Sequence, residues 1–76
     1  MTQKEAYSFC YSHQKHEDDY EINIRVSNYS PQNGYLLVVC NDIYHYMDRD
    51  AYQRLKDALE TVKDDFNVVI KEYLDV

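Results

Sequence analysis

The fold is decided by one stretch of sequence, residues 20–40, which reads YEINIRVSNYSPQNGYLLVVC. Apolar and polar side chains alternate over residues 20–27, which is the period of a β-strand with one buried face. Residues 35–40 form a continuous apolar run that is typical of a central strand covered on both faces. Between the two lie Pro31 and Gly34, the only proline and the only glycine of the chain. Because an Asn-Gly pair can adopt a positive φ, the stretch predicts a β-hairpin.

The next clear element is a helix over residues 48–66. Its apolar side chains recur at helical spacing and form one stripe. The stripe consists of Ala51, Leu55, Ala58, Leu59, Val62 and Phe66. Asp48 is predicted to cap the first turn, since its carboxylate can accept hydrogen bonds from unpaired backbone amides. Asn67 is expected to end the helix, and residues 68–74 then form a last, short strand.

The N-terminal segment supports two interpretations. Tyr7, Phe9 and Tyr11 alternate with smaller side chains, and this composition favours a strand. Thr2 and Glu5, however, fit a capping box, and a helical face could be formed by Ala6, Phe9, Cys10 and His13. We take the strand as the first interpretation.

The elements together predict an α+β fold of the order βββαβ, with αββαβ as the alternative. One amphipathic helix packs on one face of a small, mainly antiparallel sheet. A chain of 76 residues is expected to form a single compact domain over residues 1–76. The other face of the sheet then lacks a covering layer, and tyrosines on it would form a natural interface.

Composition limits the class of partner. Fourteen acidic residues and eight basic residues give a net charge of −6. Direct binding of nucleic acid or of an anionic membrane needs cationic side chains, so neither is expected. No signal peptide and no membrane span are visible, which predicts a cytoplasmic, reducing setting and two free, buried thiols at Cys10 and Cys40.

The sequence carries little that indicates catalysis or metal binding. Residues 13–21, HQKHEDDYE, combine two histidines with four carboxylates, but their order H-x-x-H-E matches no zinc motif and no further ligands complete a set. There is no phosphate-binding glycine-rich loop. We therefore expect no catalytic residues, no metal, no cofactor and no enzymatic activity.

The candidate partner-binding residues are acids and tyrosines. The predicted helix ends on two acids, Asp64 and Asp65, where the helix dipole disfavours negative charge. The segment 41–48 is interpreted as a connection whose tyrosines could anchor an interface. The full candidate set is Glu17, Asp18, Asp19, Asp42, Tyr44, Tyr46, Asp64 and Asp65.

In length, acidity and compact αβ pattern, the chain resembles small phage-encoded inhibitors of nucleic-acid machinery, including anti-CRISPR and DNA-mimic proteins. The resemblance implies that carboxylates occupy a groove lined by Arg and Lys on a nucleic-acid-binding protein, in place of phosphates. A second hypothesis comes from a different class. It is a structural or regulatory subunit that pairs, as a homodimer or as an antitoxin-like partner, through a tyrosine-rich open sheet face.

Overall fold

The hairpin forms the centre of a four-stranded sheet in the computed structural model, which describes residues 1–14 and 21–74. The elements follow the order αβββααβ. Their bounds are α1 Gln3–His13, β1 Ile22–Asn28, β2 Tyr35–Cys40, β3 Ile43–Asp48, α2 Arg49–Glu60, α3 Lys63–Phe66 and β4 Val68–Tyr73. None of these helices is long and apolar enough to cross a membrane.

The strands lie in the order β3-β2-β1-β4. β2 pairs antiparallel with both β1 and β3, whereas β4 pairs parallel with β1. The α+β class predicted from the sequence is therefore confirmed, and so is the hairpin. Gly34 adopts φ +83 in the turn, a conformation that is costly for residues with a side chain.

The N-terminal segment is a helix, so the strand predicted there is wrong. The side-chain oxygen of Thr2 accepts a hydrogen bond from the backbone amide of Glu5 at 3.2 Å, and the Glu5 carboxylate accepts one from the Thr2 amide at 3.3 Å. This reciprocal capping box satisfies two amides that a helix start otherwise leaves unpaired. Ala6, Cys10 and His13 form the buried face of α1.

Residues 43–48 form a strand, which the sequence analysis interpreted as part of a connection. Asp48 ends β3 and caps α2 directly, since its carboxylate accepts a hydrogen bond from the Ala51 amide at 2.7 Å. The predicted cap is thus confirmed. The predicted order βββαβ is therefore wrong. The alternative order αββαβ differs from the observed one in two respects: it lacks the edge strand β3, and it has one long helix in place of α2 and α3.

The predicted helix over residues 48–66 is divided in two. α2 ends at Glu60, where the Thr61 hydroxyl donates to the Ala58 carbonyl at 2.6 Å, and α3 begins at Lys63. Asn67 ends α3 in the left-handed conformation at φ 50, as expected of an Asn at this position.

Both long helices pack on the same face of the sheet. The core consists of inward-facing strand residues and the apolar stripes of α1 and α2: Ala6, Cys10, Ile22, Ile24, Val26, Leu36, Val38, Cys40, Tyr52, Leu55, Ala58, Leu59, Val62 and Phe66. Each large apolar side chain fully buried here contributes roughly 1.5–3 kcal/mol. β2 is central as predicted, but helices cover only one of its faces.

Candidate interaction surface

The opposite face of the sheet, here called the open face, carries no helix of the described residues. Because paired residues point to the same side of a sheet, the register assigns its members directly. They are Asn23, Arg25, Ser27, Tyr35, Leu37, Val39, Tyr44, Tyr46, Asp48, Val69, Lys71 and Tyr73.

Tyrosines dominate the open face. Six large apolar side chains are exposed among residues 1–14 and 21–74, and four of them lie here. They are Tyr35 at 42%, Tyr44 at 60%, Tyr46 at 54% and Tyr73 at 61% exposure. Tyrosine is enriched at protein interfaces because a large ring ends in a hydrogen-bonding hydroxyl. A concentration of exposed rings on one rigid sheet therefore indicates a binding surface.

The rings surround an apolar centre. Leu37 and Val39 lie in the middle strand β2, half-buried and 7% exposed respectively. Tyr46 is directly opposite Leu37, and its ring contacts that of Tyr29 with centroids 4.6 Å apart. The contact restricts the orientations that the Tyr46 ring can adopt at this side of the surface.

Two cations face each other on the other side of the surface. Arg25 of β1 and Lys71 of β4 are cross-strand partners, an arrangement of like charges that destabilises a sheet. Neither forms an ion pair with any residue that the structure describes. Both line a shallow depression of about 360 Å³ with Tyr73 and Asp42. An unfavourable pair of like charges that is kept at an exposed position often marks a functional surface, so this pair adds to the case for the open face.

Three of the candidate residues from the sequence lie together along β3. Tyr44 and Tyr46 point to the open face, and Asp42 lies in the turn before the strand. Asp48 extends the same column at the other end of the strand. The structure therefore brings acids and tyrosines into one column, in a segment that the sequence analysis took for a connection.

Asp64 and Asp65 lie elsewhere, in the helical layer behind the sheet. They occupy α3, which is a single turn of four residues and therefore has no extended helix dipole. The conflict inferred from the sequence, which assumed the end of a long helix, does not exist. Asp65 accepts a hydrogen bond from the Tyr7 hydroxyl at 2.6 Å, which raises the pKa of Tyr7. Glu17, Asp18 and Asp19 lie outside the described residues.

A pair of histidines links α1 to β3 at the inner face of the sheet. His13 is 5% exposed, and its Nε2 lies 2.8 Å from Nε2 of His45. Nδ1 of His13 donates to the Phe9 carbonyl at 2.6 Å, so its Nε2 accepts and His45 donates. Burial lowers the pKa of His45, and the neighbouring His13 lowers it further.

The geometry of this pair fits a hydrogen bond between the two ring nitrogens better than coordination of a tetrahedral metal ion by both. The ring centroids are 5.0 Å apart, nearly the largest separation that an Nε2–Nε2 distance of 2.8 Å allows, so the two nitrogens point straight at each other. Tetrahedral zinc instead needs its ligand atoms to approach at an angle. Within the described ranges, no group of three or more His, Cys, Asp or Glu side chains is placed to hold a metal ion.

The two cysteines are free and buried, as predicted from the sequence. Burial raises the pKa of Cys10 to about 11 and that of Cys40 to about 12, with the neighbouring Cys10 adding to the second shift. The thiolate is the reactive form of cysteine, so burial and the raised pKa both disfavour reaction of these side chains at neutral pH.

Comparisons with protein-family models, with curated proteins and with solved structures gave no match. The candidate surface is therefore assigned from geometry and chemistry alone.

Proposed function

We propose that this chain is a non-enzymatic interaction protein that binds a protein partner through its open face. The observation that carries the proposal is the concentration of four exposed tyrosines on a sheet face that none of the described residues covers. Aromatic side chains on rigid strands supply contact area with little loss of rotamer freedom.

The layout of the open face fits the usual anatomy of an interface. Leu37 and Val39 form an apolar centre, tyrosines flank it on both edge strands, and Arg25 lies beside Val39 on the inner strand β1. Binding energy in interfaces is concentrated in such central aromatic groups, while surrounding polar residues exclude water. We expect Tyr46 and Tyr73, one on each side of the centre, to contribute most.

The test compares matched tyrosine variants in affinity capture. Tyr46→Ser combined with Tyr73→Ser should abolish recovery of the partner. Tyr11→Ser is the control, because Tyr11 is 66% exposed but lies on α1, behind the sheet. Equal recovery by the double variant and by the wild-type chain would contradict the proposal, provided that circular dichroism shows both to be folded.

A second candidate function is the acidic inhibitor that binds a basic surface of a nucleic-acid-handling protein. It is favoured by the state of the carboxylates: the described residues contain two ion pairs, Lys56–Glu72 and Lys63–Glu60, and neither involves an aspartate. Exposed aspartates such as Asp50 and Asp64 therefore have no cationic partner among the described residues and are accessible to an external cation. Such charge complementarity speeds association and selects the partner.

The dependence of affinity on ionic strength distinguishes between the two proposed functions. A complex held by carboxylates should weaken strongly between low and high ionic strength, and charge reversal at Asp18/Asp19 and Asp64/Asp65 should abolish it. A complex held by the open face should keep most of its affinity under both changes and respond to the tyrosine variants instead.

A further inference from the structure

We propose that His13 and His45 form a proton-operated latch, which holds the end of helix α1 against edge strand β3 at neutral pH and opens when both rings are protonated. The latch goes beyond the proposed function and does not depend on it. Its basis is the number of hydrogen atoms that the contact between the two rings can hold.

The contact between the rings has room for one hydrogen atom. The two Nε2 atoms are 2.8 Å apart, which is a hydrogen-bond distance. Nδ1 of His13 lies 2.6 Å from the Phe9 carbonyl oxygen, and because that oxygen can only accept, this nitrogen carries a hydrogen. Nε2 of a neutral His13 is therefore the acceptor in the contact, and His45 supplies the one hydrogen.

The two protons that the pair can take up have opposite consequences. The first can bind Nδ1 of His45, which makes no hydrogen bond with any described residue, and Nε2 of the same ring still donates to His13. The second must bind Nε2 of His13, because every other ring nitrogen of the pair then carries a hydrogen. Two N–H groups and two positive charges would face each other at hydrogen-bond distance, so the rings must separate.

The latch lies at the end of α1. His13 is the last residue of this helix and is 5% exposed, whereas His45 is half-buried on the edge strand β3. Between α1 and β3 the described residues form no hydrogen bond other than the one that joins these rings. Separation of the rings leaves the last turn of α1 with the hydrogen bond from the Asn41 side chain to the His13 carbonyl, at 2.9 Å.

The rest of α1 stays attached when the latch opens. The Tyr7 hydroxyl donates to the Asp65 carboxylate at 2.6 Å, and the Tyr11 ring contacts that of Phe66 with the centroids 5.0 Å apart. Cys10 is fully buried in the core. None of these contacts involves a histidine, so the opening is confined to the last turn of the helix.

No charged side chain of the described residues is paired with the latch. On α1 the charged side chains, Lys4 and Glu5, lie at the opposite end of the helix. Those on β3 and the turn before it, on the first turn of α2 and on the inner face of β4 are Asp42, Asp48, Arg49, Asp50 and Glu72. None of them forms a hydrogen bond or an ion pair with either ring. A second positive charge at the latch is therefore not compensated, and burial penalises it.

The other titratable groups of the core stay neutral in mild acid. They are the thiols of Cys10 on α1 and Cys40 on β2 and the phenol of Tyr52 on α2. Burial raises the pKa of each of these groups. The two imidazoles are therefore the groups through which acid acts on this part of the fold.

The population of the open latch should depend steeply on pH. An imidazole in water takes up a proton near about pH 6.5. The open latch therefore binds two protons in mild acid, whereas the closed latch holds at most one. Because the state that binds more protons gains population as the pH falls, opening should increase at least about tenfold between about pH 6.5 and about pH 5.

The experiment is amide hydrogen exchange followed by NMR on the full chain at these two pH values, with each rate divided by that of an unstructured peptide at the same pH. In the wild-type chain, the amides of the last turn of α1 should lose protection at least about tenfold on acidification. The amide of Leu59 in α2 reports unfolding of the whole chain, and it should stay more protected than the last turn at both values.

Two variants at His45 separate the latch from other effects of acid. A glutamine side chain offers an N–H group to a neutral His13 and its oxygen to a protonated one, so it keeps the contact in both states. His45→Gln should therefore keep the last turn of α1 protected at both pH values. His45→Ala removes the partner of His13, so its last turn should already have lost protection at the higher pH.

Three results would overturn the latch. One is protection of the last turn that does not change with pH in the wild-type chain, and another is an equal loss in the wild-type and His45→Gln chains. The third comes from NMR of the ring nitrogens in the wild-type chain, which needs no variant: at neutral pH His13 should carry its hydrogen on Nδ1, and a hydrogen on its Nε2 would contradict the contact on which the latch depends.

Discussion

Because of the histidine pair, the free energy of unfolding is expected to depend on pH. A single substitution at His45 separates this dependence from that of the other titratable groups. Burial, and then His13, hold the pKa of His45 below its ordinary value of 6.5. Just below pH 6.5 the unfolded chain therefore binds more protons at this residue than the folded chain does. The contribution of His45 to the free energy of unfolding is therefore complete above pH 6.5, and it is lost as the pH falls through the lowered pKa of the folded chain. One proton of difference changes the free energy of unfolding by at most about 1.4 kcal/mol per pH unit.

The assay is urea unfolding followed by circular dichroism at about pH 7.5, 6.5 and 5.5. The wild-type chain should lose stability toward the lowest pH. His45→Gln keeps an N–H donor near Nε2 of His13 but does not titrate, so its free energy of unfolding should change less over the same range. Identical slopes for the two chains, or a wild-type chain that gains stability on acidification, would refute the reasoning.

A companion variant measures the hydrogen bond itself. His45→Ala removes the donor from the buried Nε2 of His13. An unsatisfied buried acceptor costs about 1–3 kcal/mol, and the half-buried position of His45 favours the lower end because water can reach the gap. A loss of 1 kcal/mol lowers the melting temperature by about 4–8 °C in a domain of this size.

Three further predictions concern the fold. Asp48→Ala should destabilise the chain by about 1 kcal/mol in thermal unfolding through loss of the α2 cap, whereas Asp50→Ala, two residues further on in the first turn, should cost less than half of that. Leu59→Ala, at a position 1% exposed, should cost about 2–5 kcal/mol in urea unfolding; a loss below 1 kcal/mol would contradict its place in the core. Cys10 and Cys40 should react with a thiol reagent at neutral pH only after unfolding, and prompt labelling of the native chain would contradict their burial.

Local sequence patterns were sufficient to predict the hairpin, helix α2 and strand β4. They also predicted the helix N-cap at Asp48 and the helix end at Asn67. In each of these the residues that define the element are neighbours in the chain. The N-terminal helix was mispredicted because Tyr7, Phe9 and Tyr11 alternate in a β-favouring composition. The capping box at Thr2 and Glu5 outweighs that preference because it pairs the unpaired amides of the first turn.

The candidate surface was predicted only in part. Tyr44 and Tyr46 were identified as interface anchors, but their strand was missed, although Ile43, His45 and Met47 alternate with them at the period of a strand. The open-face cations Arg25 and Lys71, and the pair His13 and His45, bring together residues distant in sequence. No local pattern could have brought either pair together, because the sheet register sets the first pair and the packing of α1 against β3 sets the second.

The most direct test of the central claim is site-specific photo-cross-linking in cells that express the protein. A photoreactive phenylalanine at Tyr46 should form covalent adducts with a protein, either a second copy or another chain. The same group at Tyr11, which is more exposed than Tyr46 but lies behind the sheet, should form few. Adducts that arise equally from both positions, or from position 11 alone, would contradict the assignment of the open face as the binding surface.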